Sequence, residues 1–208
     1  MVQIKICGIT NLDDALAALD AGADALGFNF WPDSKRYITP VEARSIIEHL
    51  PETVMCVGVF VNECAPESVL AMADAAGVST VQLHGDEEPE FCRALAVRSV
   101  IKALRVDENF HPEDVARYGT DAVLLDAFCT ETRGGTGKTF DWTVARRARA
   151  FVERLYLAGG LSPENVGAAV AAVEPFAVDV CSGVESAAGK KDAARMRAFV
   201  AAVREVSG

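Results

Sequence analysis

Short apolar runs rich in β-branched residues alternate along the chain with longer stretches in which apolar residues recur at helical spacing. The short runs predict strands, and the longer stretches predict amphipathic helices. The predicted strands cover residues 2–7, 25–30, 54–61, 80–84, 99–104, 122–126, 155–158 and 176–181. The predicted helices cover residues 12–21, 41–49, 66–76, 87–96, 112–118, 142–153, 163–173 and 192–206. Strict alternation of this kind is typical of a parallel sheet joined by crossover helices.

The spacing of the strands narrows the fold class. Successive strands end about 25 residues apart, close to the minimum for one strand, one helix and two loops. Eight such units fill the 208 residues and predict an α/β protein with a closed (β/α)8 TIM barrel, at the short end of that fold's length range. The alternative is a doubly wound open sheet, which usually has fewer strands and a G-x-G-x-x-G turn that is missing here. Without a linker or a composition break, residues 1–208 are expected to form one domain.

Residues that start and stop helices agree with this register. Thr10 or Asn11 can cap the first helix, and Ser162 followed by Pro163 predicts the start of the seventh. Glycines of the kind that end helices follow three of the helical stretches, at Gly22, Gly77 and Gly119.

Composition and charge exclude several classes of function. Half of the residues are hydrophobic, which excludes global disorder. The formal net charge of −10 disfavours nucleic acid as a partner, because a phosphate backbone requires a basic surface. No apolar run reaches the roughly 18 residues that span a bilayer, and the first residues do not resemble a signal peptide. We therefore expect a cytoplasmic protein that binds neither nucleic acid nor membrane.

The cysteines do not predict a metal site. They occur at positions 7, 56, 64, 92, 129 and 181. None forms a C-x-x-C pair, and no histidine lies at zinc-ligand spacing from a cysteine pair. We interpret them as free thiols, most of them buried, and expect no metal.

Alternation along the first strand predicts which side chains enter the barrel. Val2, Ile4 and Ile6 form an apolar face suited to the surrounding helices. Lys5 and Cys7 must then point inward. Since active sites of this fold lie at the carboxyl ends of the strands, Cys7 is placed at the mouth.

Other strands bring polar groups to the same place. Inward positions near their carboxyl ends belong to Gln82 and His84 on the fourth strand, Asp126 on the sixth, and Asp179 and Cys181 on the eighth. The first and eighth strands become neighbours when the barrel closes. Because a buried charge needs a partner, we predict that Lys5 pairs with Asp179.

Two glycine-bearing segments follow the seventh and eighth strands, where barrels of this fold often bind phosphate. They contain Gly159 and Gly160, and then Ser182 and Gly183. Backbone N–H groups can approach an anion closely at glycine, so the four residues predict a phosphate site. A third segment, 133–142, lacks the spacing of a nucleotide-binding P-loop because Thr132 stands where the first glycine is required. We predict instead a mobile loop that closes over the site.

Motifs distributed along nearly the whole chain resemble one family. They are KICGIT (5–10), GFNF (27–30), SKRYI (34–38), VGVFVN (57–62), VQLHGDE (81–87), LLDAF (124–128), GGTGKTFDW (134–142), LAGGLSPENV (157–166) and DVCSGVE (179–185). Together they are similar to the phosphoribosylanthranilate isomerase family of tryptophan biosynthesis. The resemblance implies an Amadori rearrangement of N-(5'-phosphoribosyl)anthranilate to an aminodeoxyribulose phosphate, without metal or redox cofactor.

The resemblance also implies roles for individual residues. Cys7 becomes the general base and Asp126 the general acid, and Arg36 holds the carboxylate of the anthranilate. His84 and Asp179 are further candidates for contact with the substrate. The expected partner is a small phosphosugar, and the chain is expected to be a monomer or a homodimer.

Two alternatives remain open at this point. Another phosphosugar barrel is one, either an indoleglycerol phosphate synthase or a pentose phosphate epimerase. The synthase requires an amino-terminal extension and a lysine pattern that are missing, and the epimerase requires a set of metal-binding His and Asp. The other alternative is a phosphate-binding scaffold without catalysis, against which the presence of both Cys7 and Asp126 argues.

Overall fold

Eight parallel strands close into a barrel in the computed structural model of the chain, which describes residues 1–126 and 142–208. The strands are β1 Gln3–Cys7, β2 Ala25–Asn29, β3 Met55–Phe60, β4 Thr80–Leu83, β5 Ser99–Arg105, β6 Ala122–Asp126, β7 Leu155–Ala158 and β8 Ala177–Val180. Each strand pairs with the next along the chain, and β8 pairs with β1 to close the ring. The predicted (β/α)8 TIM barrel is confirmed, and the open-sheet alternative is excluded.

Helices follow the strands on the outside of the barrel. They are α1 Leu12–Ala21, α2 Pro40–Ile47, α3 Pro66–Ala76, α4 Pro89–Ala94, α5 Trp142–Ala148, α6 Val166–Val173 and α7 Ala193–Ser207. Between β5 and β6 the chain forms a 3₁₀ helix, Pro112–Arg117, where the sequence predicted an α-helix. None of the described helices is long and apolar enough to cross a membrane.

Three short elements follow α5 or β8 along the chain. A 3₁₀ helix, Arg149–Phe151, continues α5, and another, Ser182–Val184, follows β8. After it comes an antiparallel hairpin of β9 Glu185–Ala187 and β10 Lys190–Lys191, for which the sequence pattern gave no prediction. This hairpin lies beside the barrel mouth and contributes to the site described below.

The helix ends confirm most of the predicted caps. The side chain of Asn11 accepts a hydrogen bond from the backbone of Asp14 at the start of α1. Gly22 and Gly77 end α1 and α3 in the left-handed conformation, which glycine adopts without steric cost.

The predicted helix start at Pro163, after Ser162, is three residues too early. Helix α6 begins only at Val166, after the cap residue Asn165. The side-chain oxygen of Asn165 accepts from the backbone N–H of Ser162 at 2.8 Å, and the hydroxyl of Ser162 accepts from the backbone of Glu164 at 3.3 Å. The backbone N–H groups of Asn165 and Val166 also donate to the carbonyl oxygen of Ser162, at 3.2 and 3.0 Å, so these bonds form a capping turn directly before the helix.

Side chains from alternate strand positions build two apolar layers. Ile4, Ile6, Val123 and Leu125 belong to the layer between the strands and the helices, as predicted. The barrel interior holds a second, smaller cluster of Val57, Ile101, Ala103, Ala122, Leu124, Tyr156, Ala158 and Ala177. Polar residues that share the inward face, Lys5 and Gln82 among them, are buried within the barrel.

Candidate active site

A cavity at the carboxyl ends of the strands brings most of the predicted site residues together. Its lining includes Cys7, Arg36, His84, Asp126, Gly159, Gly160, Asp179 and Ser182. These residues come from loops or strand ends that are distant in sequence, and closure of the barrel makes them neighbours. Of the predicted site residues, only Gly183 does not line the cavity. No cluster of three His, Cys, Asp or Glu side chains suited to a metal occurs in ranges 1–126 and 142–208.

One wall of the cavity rests on a buried ion pair between β1 and β8. The Nζ of Lys5 lies 2.9 Å from Oδ1 of Asp179, and the two side chains are 0% and 8% exposed. The predicted pairing is therefore present. Burial alone would lower the pKa of the Lys5 ammonium, but Asp179 and the nearby Cys7 hold that pKa above its ordinary value.

The thiol of Cys7 lies above this pair at the end of β1. A β-carbon at Gly27 on β2 would lie 2.7 Å from Cys7 Sγ and 3.1 Å from Lys5 Nζ, so both groups occupy the space that the glycine leaves. Burial raises the pKa of the Cys7 thiol, while the positive charge of Lys5 acts in the opposite direction. The strand thus places a weakly acidic thiol beside a fixed cation.

On the other side of the cavity, His84 connects two side chains. Its Nε2 lies 3.2 Å from Oδ2 of Asp126, and its Nδ1 lies 2.9 Å from the amide nitrogen of Gln82. The side chains of His84 and Asp126 are about one-third exposed, at 31% and 29%, whereas Gln82 is buried. Sequence alternation placed all three inward but gave no sign that they form a chain of contacts.

Arg36, in the segment after β2, is held at the mouth by an acidic partner. Its Nε and Nη2 lie 3.1 and 2.5 Å from the two carboxylate oxygens of Glu185 on β9. Lys191 on β10 also reaches Glu185, at 3.0 Å. Neither Glu185 nor Lys191 was predicted from the sequence as a site residue. Glu185 ends the motif DVCSGVE (179–185), but the motif does not indicate that this carboxylate meets Arg36, and Lys191 lies outside it.

The glycine-bearing loops after β7 and β8 meet at the mouth. Gly159 and Gly160 both have positive φ angles, of 88° and 65°, which turn the backbone sharply at the end of β7. A β-carbon at Gly183 would overlap the carbonyl oxygen of Leu161. The loop after β8 therefore packs directly on the loop after β7, and Ser182 beside it reaches the cavity.

The mobile loop predicted at 133–142 lies outside the described residues, except for Trp142, which begins α5. Cys129 lies outside them as well. The five described cysteines are all free thiols, at positions 7, 56, 64, 92 and 181.

Polar and ionisable groups that meet at the carboxyl ends of a closed parallel barrel define the class of TIM-barrel enzymes. Within this class, the sequence model of the family described as "N-(5'phosphoribosyl)anthranilate (PRA) isomerase" matches residues 4–202. The chain belongs to this family. It is an isomerase of tryptophan biosynthesis.

Individual relatives match over nearly their whole lengths. The N-(5'-phosphoribosyl)anthranilate isomerase of Pelobacter propionicus is 51% identical over 99% of this chain and 97% of its own. The structure of phosphoribosyl anthranilate isomerase from Thermotoga maritima has a TM-score of 0.91 at 49% identity, covering 99% of this chain and 100% of that one. A further isomerase structure, in complex with reduced 1-(o-carboxyphenylamino)-1-deoxyribulose 5-phosphate, has a TM-score of 0.88 at 46% identity, with the same coverage.

Proposed function

We propose that the chain converts N-(5'-phosphoribosyl)anthranilate into 1-(2-carboxyphenylamino)-1-deoxyribulose 5-phosphate, with Cys7 as general base and Asp126 as general acid. The observation that carries this proposal is that both side chains line one cavity from β1 and β6, with β7 and β8 between them. A substrate lying across the mouth can therefore meet a thiol and a carboxyl group at the same time. The related structure with the reduced ketose phosphate supports this substrate class.

The first chemical step is ring opening. Asp126 donates a proton to the furanose oxygen, the bond from that oxygen to C1' breaks, and the nitrogen lone pair forms a protonated Schiff base. The contact between His84 and Asp126 at 3.2 Å supports this role by fixing the orientation of the carboxyl group. A positioned acid of this kind contributes about 10²- to 10⁴-fold to the rate.

The second step moves the double bond. Cys7 removes the proton from C2', and the electrons of that bond neutralise the Schiff base to give an enolamine. Uptake of a proton at C1' and loss of one from the 2'-hydroxyl then give the ketone. The base must be a thiolate, so the nearby charge of Lys5 favours the reaction against the effect of burial on the pKa of Cys7.

The remaining site residues orient the two ends of the substrate. We assign the phosphate to the loops that contain Gly159, Gly160, Ser182 and Gly183, and the anthranilate carboxylate to Arg36. His84 and Asp179 line the cavity between these ends and are assigned to substrate contact. With both anionic ends held, the ribose lies between the thiol and the carboxyl group.

The test is the loss of substrate fluorescence when the purified protein meets freshly generated phosphoribosylanthranilate. Cys7→Ala and Asp126→Asn are each expected to lose at least about 10²-fold in kcat. Cys92→Ala is the matched control, since Cys92 is a buried thiol on α4 in the outer apolar layer. Turnover that survives either site variant removes that residue from the mechanism. A folded wild-type protein that binds phosphosugar without turnover supports the scaffold alternative.

A further inference from the structure

The guanidinium group of Arg36 is fixed from behind by a carboxylate that does not itself line the cavity. Glu185 binds it through both oxygens, at 3.1 and 2.5 Å. The Arg36 side chain is 24% exposed but that of Glu185 only 4%. We propose that Glu185 is a positioning residue, which holds Arg36 in the orientation that selects a substrate bearing an aryl carboxylate. This inference rests on the proposed function, because it concerns the group that Arg36 is proposed to bind.

Glu185 is itself held in place. The buried ammonium of Lys191 lies 3.0 Å from its Oε1 and also donates to the carbonyl oxygen of Cys181 at 3.2 Å. The backbone N–H of Gly189, in the turn of the hairpin, donates to the same carboxylate oxygen at 3.4 Å. Burial would raise the pKa of the Glu185 carboxyl, but the hydrogen bonds from Arg36 and Lys191 outweigh burial and keep it below its usual range. The Glu185 carboxylate, which holds Arg36 in place, therefore stays charged at neutral pH.

The charges of this cluster leave one positive charge for the substrate. Arg36 and Lys191 carry two positive charges against the single negative charge of Glu185. Lys191 is fully buried, with 0% of its side chain exposed, so the excess charge is presented by Arg36 alone. Without Lys191, the negative charge of Glu185 would neutralise the positive charge that Arg36 presents to the cavity. Lys191 thus allows Arg36 to be held by the carboxylate of Glu185 and still attract the carboxylate of the substrate.

The geometry of the guanidinium leaves a suitable edge free. Four of its five N–H donors form two forked edges, and Glu185 occupies the edge made by Nε and Nη2. The edge made by Nη1 and Nη2 remains, and a carboxylate can bind such an edge with two parallel hydrogen bonds. The aliphatic part of Arg36 is also confined, because a β-carbon at Gly8 would lie 2.9 Å from its Cγ. Gly8 directly follows Cys7, so the arginine is positioned relative to the proposed base.

A double variant separates positioning from charge. Glu185→Gln combined with Lys191→Met removes one negative and one positive charge. The net charge of the group formed by Arg36 and these two residues is unchanged, while the carboxylate that holds Arg36 is lost. We measure by calorimetry the binding of reduced 1-(2-carboxyphenylamino)-1-deoxyribulose 5-phosphate and of the corresponding compound made from aniline, which lacks the carboxylate. The ratio of the two dissociation constants reports how well the protein recognises that carboxylate, whether or not the protein turns over its substrate.

The wild-type protein is expected to prefer the carboxylate compound, and the double variant to lose about 10-fold or more of that preference. Binding of the aniline compound should stay within about twofold of wild type. Glu185→Asp keeps the charge on a shorter side chain and should give an intermediate ratio, which keeps the test available if the double variant does not fold. Glu48→Gln removes the exposed partner of Arg44 and is the control.

Two results would overturn the proposal. One is an unchanged ratio in the double variant, and the other is equal weakening of both compounds, which indicates a general structural role for Glu185. Failure of the proposed function gives a different result, which is seen in the wild-type protein itself. That protein would then bind both compounds with the same affinity, or would bind them but not turn over phosphoribosylanthranilate. In turnover assays, the variant should raise KM for phosphoribosylanthranilate and change kcat by less than about threefold.

Discussion

The Nε2 of His84 lies 3.2 Å from Oδ2 of Asp126, so the proposed acid is in contact with an imidazole ring. The other ring nitrogen faces the amide of Gln82 at 2.9 Å. When that amide donates to Nδ1, the ring carries its proton on Nε2 and donates it to Asp126. Gln82 thus sets the tautomer of His84, and through it the orientation of the carboxyl group.

Replacement of Gln82 by methionine tests this chain of contacts. Methionine fills a similar volume but cannot donate to the ring, so kcat should fall by about 3- to 10-fold, the value of one hydrogen bond, with little change in KM. Steady-state kinetics with phosphoribosylanthranilate measure both constants. Gln3→Met makes the same substitution at the exposed start of β1. A kcat for Gln82→Met equal to that of this control contradicts the assignment.

The buried pair of Lys5 and Asp179 predicts a large cost for removing one partner. Lys5→Met leaves a carboxylate buried without its cation and should lower the free energy of unfolding by about 3–5 kcal/mol. Lys5→Met combined with Asp179→Leu removes both charges and should recover most of this loss. Urea unfolding followed by circular dichroism gives the values. Equal destabilisation in the single and double variants would show that packing, and not the unpaired charge, is responsible.

The loops after β7 and β8 predict a selective effect on phosphate binding. Alanine at Gly183 collides with the carbonyl oxygen of Leu161 and must separate the two loops. The inhibition constant of inorganic phosphate should therefore rise by at least about tenfold. The control is Gly77→Ala, at a φ of 74° with nothing within 4 Å of the added carbon, which should cost about 1 kcal/mol of stability and leave phosphate inhibition unchanged. Similar inhibition constants in the two variants would refute the loop assignment.

A buried thiol away from the site predicts a loss of stability in alkali. Burial raises the pKa of Cys56 from 9.0 to about 11. Between these two values the unfolded thiol loses its proton and the folded thiol keeps it, so stability falls as the pH rises. Cys56→Val removes this contribution, and the decrease in unfolding free energy between pH 8 and pH 10 should become smaller by about 1 kcal/mol. An identical decrease in both proteins would contradict the prediction.

The sequence predicted those parts of the site that follow from strand alternation and barrel closure. Lys5 and Asp179 were paired correctly because alternate residues share a face and the first and last strands must be neighbours. The partner of Arg36 could not be predicted in this way. Glu185 reaches it from a hairpin of five strand residues in total, and such short strands carry no periodic signal. The start of α6 was placed three residues early because the bonds that Ser162 makes as a cap lie in a turn before the first residue of the helix.

The pair of Lys5 and Asp179 also has a consequence for the order of events during synthesis. The two residues are 174 positions apart, and a ribosome adds the lysine long before its counter-ion exists. Until β8 has emerged, the ring of strands lacks one member, and an ammonium without a counter-ion is costly to bury. The nascent chain is therefore expected to keep Lys5 in water and the thiol two residues further on outside any pocket. The first turnover by a growing chain would mark the moment at which the last strand enters the barrel.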